Sequence, residues 1–190
     1  MAFDVHAVRA DFPILSRTVH DKPLVYLDSA ASAQKPKAVI DAMAGAMGHS
    51  YANVHRGLHT LANETTEAFE AGREAVARFI GADVGGIVFT RGATEAVNLV
   101  AQTFGQTLQA GDEIVISEME HHANIVPWWM LAQSRGVVLK WCPITDDGQL
   151  DWPALEAMVG PRTRLIALSH MSNVLGTHNP AERIVALARS

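Results

Sequence analysis

From residue 85 onward, short apolar runs alternate with longer amphipathic stretches, and this alternation constrains the fold more than any other feature. "GGIVFT", "DEIVISE", "VVLKWCPI" and "TRLIALSHM" are apolar, rich in β-branched residues and short, as strands buried on both faces are. Between them, "EAVNLVAQTFGQTL" puts Val97, Val100, Ala101, Phe104 and Leu108 on one helical face. "VPWWMLAQSR" and "DWPALEAMV" read as further helices, the second with Asp151 placed to cap it. Strands separated by helices of this length are crossover units. The expected fold class is therefore α/β, a mainly parallel sheet with flanking helices. Ligands of such sheets bind in loops at the carboxyl ends of the strands.

The first part of the chain has a different texture. "PLVYLDSAASAQKP" predicts a short strand at residues 24–27 and then a run of small residues ending at Pro36. Pro36 is placed to open a helix carrying Val39, Ile40, Met43 and Met47 at helical spacing. "HSYANVHRGLHT" is too polar and irregular for an element and reads as a loop. A second helix is expected over residues 61–80, with Phe69, Gly72, Val76, Phe79 and Ile80 on its inner face and Gly81 as its stop.

Composition narrows the function classes. A chain of 190 residues, 48% of them hydrophobic, suffices for one medium domain or a large part of a bigger one. The net charge of −5, with Lys and Arg scattered singly, gives no basic stripe for nucleic acid. No run reaches the ~18 uninterrupted apolar residues that span a bilayer, and the N-terminus lacks the pattern of a signal peptide. A cytoplasmic protein is expected. The single cysteine, Cys142, lies in a strand-like run and reads as an inert buried thiol.

Three of the expected strand ends carry polar residues: "TRGAT" at 90–94, "EHHAN" at 120–124 and "SHMSNVLGT" at 169–177. In the first, a helix begins immediately after small residues, so free backbone N–H groups, the dipole and the Thr94 hydroxyl would face an anion such as a phosphate. An ordinary helix cap by Thr94 accounts for the same residues. In the second, adjacent side chains on a strand point to opposite faces, so His121 and His122 cannot share one role. Their adjacency is also wrong for a helical metal pair, and no metal is expected. One imidazole could stack on a flat aromatic ligand and exchange protons. In the third, Asn173 could donate an amide hydrogen to a phenolate or carboxylate, or simply form a turn. Taken together, the loops suit a phosphorylated aromatic ring.

"VRADFPIL", "YLDSAASAQKP", "YANVHRGLHTL", "FTRGATEAVNLVA", "ISEMEHHANIVPW" and "LSHMSNVLGT" resemble, in order, sequence blocks of the cysteine desulfurases. These are fold-type I pyridoxal phosphate enzymes of the aminotransferase class V group. The resemblance implies the N-terminal part of the cofactor-binding large domain over residues 26–190, with residues 1–25 contributing to a small domain or dimer contacts. It implies that Ala93 and Thr94 hold the cofactor phosphate and that His121 stacks on the pyridine ring and moves protons. It also implies that Asn173 lies by the phenolic oxygen and the substrate carboxylate, and that His55 and Ala30 line the substrate side. His122 is expected to be structural. The implied reaction converts L-cysteine to L-alanine, with the cofactor ring as electron sink and the sulfur passing to an enzyme cysteine as a persulfide. A homodimer and a sulfur-acceptor protein are implied as partners, the "NVHRG" block being most like the branch that serves iron–sulfur cluster assembly. Selenocysteine lyase, cysteine sulfinate desulfinase and a truncated non-catalytic scaffold are the alternatives.

The family's Schiff-base lysine, persulfide cysteine and carboxylate-binding arginine normally follow the position of Ser190, so the chain is expected to be incomplete on its C-terminal side. Consistent with that expectation, "AERIVALARS" reads as a helix whose Ile184, Val185 and Leu187 are left uncovered.

Overall fold

The computed structural model describes residues 3–190, which form two compact units, 3–88 and 89–190. In the first unit, α1 (Val5–Ala10) is capped by Asp4, whose carboxylate accepts the N–H groups of His6 and Ala7. A two-stranded antiparallel hairpin follows, β1 (Thr18–Val19) with β2 (Lys22–Pro23). It is turned by His20 and Asp21, both left-handed at φ 51° and 59°. The strand expected at residues 24–27 does not form. Leu24 continues the pairing through its N–H to Arg17 O, and the Tyr26 hydroxyl folds onto the carbonyls of Asp28 and Ser32.

Helix α2 (Lys37–His49) starts after Pro36 as expected, with Val39, Ile40, Met43 and Met47 exposed. Helix α3 (Thr60–Ile80) ends at Gly81 in the left-handed conformation. Its inner face differs from the expected one. Phe79 is 91% exposed, while Ala62 and Ala77 are buried. The inward stripe runs through Ala62, Thr66, Phe69, Glu70, Arg73 and Ala77, because it packs on the ordered loop at His55 and on Ile87, whose carbonyl accepts from Arg73. Polar partners, not hydrophobicity, set the rotation of this helix.

In the second unit, helices surround a three-stranded parallel sheet of order β4-β3-β5, formed by β3 (Glu113–Ser117), β4 (Val138–Cys142) and β5 (Thr163–Ile166). The expected α/β fold is present. Every residue of β3 is buried, as a central strand covered on both faces requires. The expected "GGIVFT" strand is absent. Residues Val84–Gly86 make a 3-10 turn, and the following extended residues belong to no ladder among the described residues.

Helix α4 (Ala93–Thr103) buries Ala101 and half-buries Val97, but Val100 and Phe104 face outward, against expectation. It tightens into a 3-10 turn at Phe104–Thr107. There Gly105 permits close approach, since an added Cβ would sit 2.9 Å from a Leu131 methyl. Helix α5 (Val126–Arg135) joins Trp128 and Leu131 to Ala101, Leu108, Ile114 and Ile116 in one core on that side of the sheet. On the other side, α6 (Trp152–Met158), capped by Asp151 as expected, packs Leu155 with Val115, Met119, Cys142 and Leu150. Helix α7 (Ala181–Arg189) lays Ile184 and Leu187 against this second core. The expectation that they are uncovered is therefore wrong, and only Val185 is exposed.

The amino end of the sheet is fixed by buried Glu113. Its carboxylate meets Lys140 Nζ at 2.7 Å and Arg162 at 3.0 Å. The Lys140 hydrogen bond, aided by the Arg162 charge, holds the Glu113 carboxyl below its ordinary range. This ion cluster lies at the start of the strands, so the carboxyl ends are left for chemistry.

Candidate functional site

The carboxyl ends of β3 and β5 lie side by side, because the strands are parallel and Ala167 N–H continues their pairing to Val115 O. The segment after β3 leaves as a turn, not a strand. His121 precedes a 3-10 turn at His122–Asn124, and its Nδ1 accepts the Ala123 N–H at 3.1 Å. With Nδ1 an acceptor, the neutral ring carries its proton on Nε2. His121 and His122 are both exposed, with ring centroids 6.2 Å apart and planes at 83°. Strand alternation therefore does not separate their roles, since neither is on a strand. The turn sets the two rings edge to face instead.

Helix α4 packs against this turn, with Val97 and Ile125 meeting at the same core. Ala93 and Thr94 occupy the first turn of α4, after Gly92, where backbone N–H groups have no partner within the helix. Among the described residues the Thr94 hydroxyl has no hydrogen-bond partner. The neighbouring Glu95 carboxylate is engaged by Arg91, through its backbone N–H at 2.6 Å and its guanidinium at 3.2 Å. The Arg91 hydrogen bonds hold the Glu95 carboxyl below its usual range. The one acidic group of this helix start is thus occupied, leaving the N–H groups to an anion.

The segment after β5 is tied to the His121 turn. The Glu120 carboxylate accepts from Ser169 N–H and Oγ, and Asn179 Nδ2 donates to Ser169 O at 2.7 Å and lies 3.4 Å from Met119 Sδ. Farther along, Ser172 Oγ accepts the N–H groups of Val174 and Leu175, and Thr177 Oγ1 donates to Gly148 O. Asn173 sits at the head of this braced loop. It is exposed, and its amide has no hydrogen-bond partner among the described residues. The His121 turn is thus tied both to α4 and to the segment after β5, and Thr94, His121 and Asn173 all lie in the second unit.

His55 and Ala30 belong to the other unit. His55 is left-handed at φ 66°, fixed by its N–H to Thr66 Oγ1 at 2.9 Å and by Nε2 to Glu70 at 2.7 Å, with its ring edge-on to Phe69. The His55 hydrogen bond, then that of Arg73, lowers the Glu70 carboxyl from its ordinary value. Ala30 lies in the exposed turn that begins at Asp28. Sequence reasoning missed Glu70, Glu120, Asn124 and Ser169 as partners. An acid directly before His121 and an amide four residues later was the available signal for two of them.

The free donors (helix N–H groups, the Thr94 hydroxyl, His121 Nε2–H and the Asn173 amide) fit an anionic phosphorylated pyridine. Among the described residues, no group of three or more His, Cys, Asp or Glu side chains is disposed to hold a metal. No helix among them is long and apolar enough to cross a membrane. Cys142, fully buried at the end of β4, is not a nucleophile of this site. Desolvation, and then the Asp151 charge, push its thiol up to about 11. Native labelling by a thiol-specific reagent at pH 8 should run at least about 100-fold slower than in denaturant, from the loss of thiolate alone. Stoichiometric native labelling at the denatured rate would contradict this placement.

Residues 25–190 match a family model described as aminotransferase class-V. A cysteine desulfurase of Dickeya dadantii (strain 3937) is 57% identical over 190 residues, which is 99% of this chain and 46% of that protein. The apo structure of a cysteine desulfurase from Thermococcus onnurineus NA1 superposes with a TM-score of 0.91 at 35% identity, covering 100% of this chain and 46% of that one. A C-DES variant with glycine covalently linked to its PLP cofactor superposes with a TM-score of 0.78 at 25% identity, covering 95% of this chain and 45% of that one. The chain thus spans about half the length of the curated relatives it matches. The α/β architecture, the family match and these likenesses lead to one conclusion: the chain belongs to the aminotransferase class-V family, a family of pyridoxal phosphate enzymes.

Proposed function

We propose that this chain is the N-terminal portion of a pyridoxal phosphate-dependent cysteine desulfurase, which converts L-cysteine to L-alanine and passes the sulfur to an enzyme cysteine as a persulfide. The observation that supports the reading is that the turn carrying His121 packs on α4, whose first turn holds Thr94, and is hydrogen-bonded to the segment that leaves β5 and leads to Asn173. The similarity to proteins named cysteine desulfurase supports the choice of reaction.

In this reading residues 26–190 form part of the cofactor-binding domain, and residues 1–25 serve a small domain or dimer contacts. Ala93 and Thr94 seat the phosphate through the start of α4. His121 lies over the ring and holds or moves a proton at Nε2, while Asn173 orients the phenolic oxygen and the substrate carboxylate. His55 and Ala30 line the substrate side. The cofactor supplies an electron sink for the bond broken at the substrate α-carbon. Cys142, buried and protonated, is not the sulfur carrier. The enzyme acts as a cytoplasmic homodimer and delivers sulfur to an acceptor protein of iron–sulfur cluster assembly, a role supported by the "NVHRG" block.

Incubating the full-length natural chain with pyridoxal phosphate, L-cysteine and a thiol should yield sulfide and alanine in equal amounts. A protein that binds the cofactor but releases neither would defeat the desulfurase reading, and faster turnover of selenocysteine or cysteine sulfinate would reassign the substrate.

A further inference from the structure

Glu120 is 8% exposed, and among the described residues no cation pairs with it. Its carboxylate instead receives Ser117 Oγ at 2.6 Å, Asn124 Nδ2 at 2.8 Å, Ser169 N–H at 2.9 Å and Ser169 Oγ at 2.5 Å. The direction of these bonds is fixed from outside. Trp128 Nε1 can only donate, and it donates to Asn124 Oδ1 at 2.9 Å, which forces Asn124 Nδ2 toward Glu120 and toward Ala167 O at 3.0 Å. Residues 120 and 124 are therefore both pinned to the exit of β5. The three residues between them carry His121, itself braced by the Ala123 N–H on Nδ1 and the Asn124 N–H on its carbonyl at 2.7 Å.

A buried acid satisfied by hydrogen bonds and no cation is a poor means of stabilisation, because its desolvation offsets much of what the bonds gain. What such an arrangement does provide is a single geometry. We propose that Glu120 is a positioning residue: by holding Ser169 directly and orienting Asn124, which donates to Ala167 O, it clamps both ends of the 120–124 turn and fixes the His121 imidazole against the cofactor ring. The inference rests on the reading that His121 faces the cofactor.

Glu120→Gln keeps the shape but turns one acceptor into an NH₂ group facing other donors. In the full-length natural chain, hydrogen exchange of residues 120–125 should quicken at least about tenfold in the apoprotein, with exchange of β3 unchanged. With pyridoxal phosphate bound, the visible circular dichroism band should shift or weaken, and kcat should fall about 10- to 100-fold, as for a catalytic group displaced by about 1 Å. Should E120Q fail to fold, Ser169→Ala, which removes one donor to the same carboxylate, should move exchange and the band in the same direction by less. Wild-type exchange in the turn, or faster exchange with an unmoved cofactor band, overturns the proposal. If E120Q shifts both readouts while even the wild type releases no sulfide, the positioning role stands and the desulfurase reading fails. If the wild type releases sulfide and the variant matches it in both readouts, the positioning role alone fails.

Discussion

Replacing His121 by alanine in the full-length natural chain should lower kcat for sulfide release by about 10²- to 10⁴-fold, the range removed with a positioned general acid or base. His122→Ala should stay within about threefold of the wild type. The physical basis is local. His121 Nδ1 is occupied by the Ala123 N–H, so the ring has a fixed orientation and a single free N–H at Nε2. Among the described residues the His122 ring has no such brace, and it stands at 83° to that of His121. His121→Ala should also change the visible spectrum of the bound cofactor, as the proposed stacking of its ring requires, while the fold persists because the residue is exposed. Equal effects of the two substitutions on turnover would show that the turn, and not one imidazole, matters.

The second large effect is on stability. Leu155 is fully buried, and it joins α6 to Val115, Met119 and Cys142 on one face of the sheet. Leu155→Ala removes buried methyl groups and leaves a cavity between α6 and the sheet, so it should cost about 3–5 kcal/mol in urea unfolding. Val174, which is 80% exposed, provides the control, and its change to alanine should cost under about 0.5 kcal/mol. A loss below about 1 kcal/mol for Leu155→Ala would mean that α6 is not seated on the sheet as described. Met119 belongs to the same cluster and lies two residues before His121, so the core also supports the site from beneath.

The second unit was largely legible because its signals are local and periodic. The run "VPWWMLAQSR" coincides with α5, bounded by Gly136 in the left-handed conformation, and Asp151 caps α6 through the Ala154 N–H. The strands β3 to β5 follow from short apolar runs that alternate with helical stretches. Three of the failures share a cause, dependence on a partner outside the segment itself. "GGIVFT" has strand composition but no neighbouring strand to complete it among the described residues. The rotation of α3 is set by Arg73 on Ile87 O and Thr66 on the His55 loop, contacts that hydrophobic spacing does not encode. Ile184 and Leu187 are covered by the side of the sheet bearing Leu155, which cannot be seen from α7 alone. Within the site, the types of His121 and Asn173 drew attention, but Glu120 and Ser169, which tie their segments together, are separated by the whole β4–α6–β5 crossover.

The most direct measurement is a crystal structure of the full-length natural chain with pyridoxal phosphate bound. The phosphate should be cradled by the α4 amides and the Thr94 hydroxyl, the His121 ring should lie over the pyridine, and the Asn173 amide should reach the phenolic oxygen. A cofactor bound elsewhere, or bound with His121 turned away and Asn173 out of reach, would contradict the account at its root.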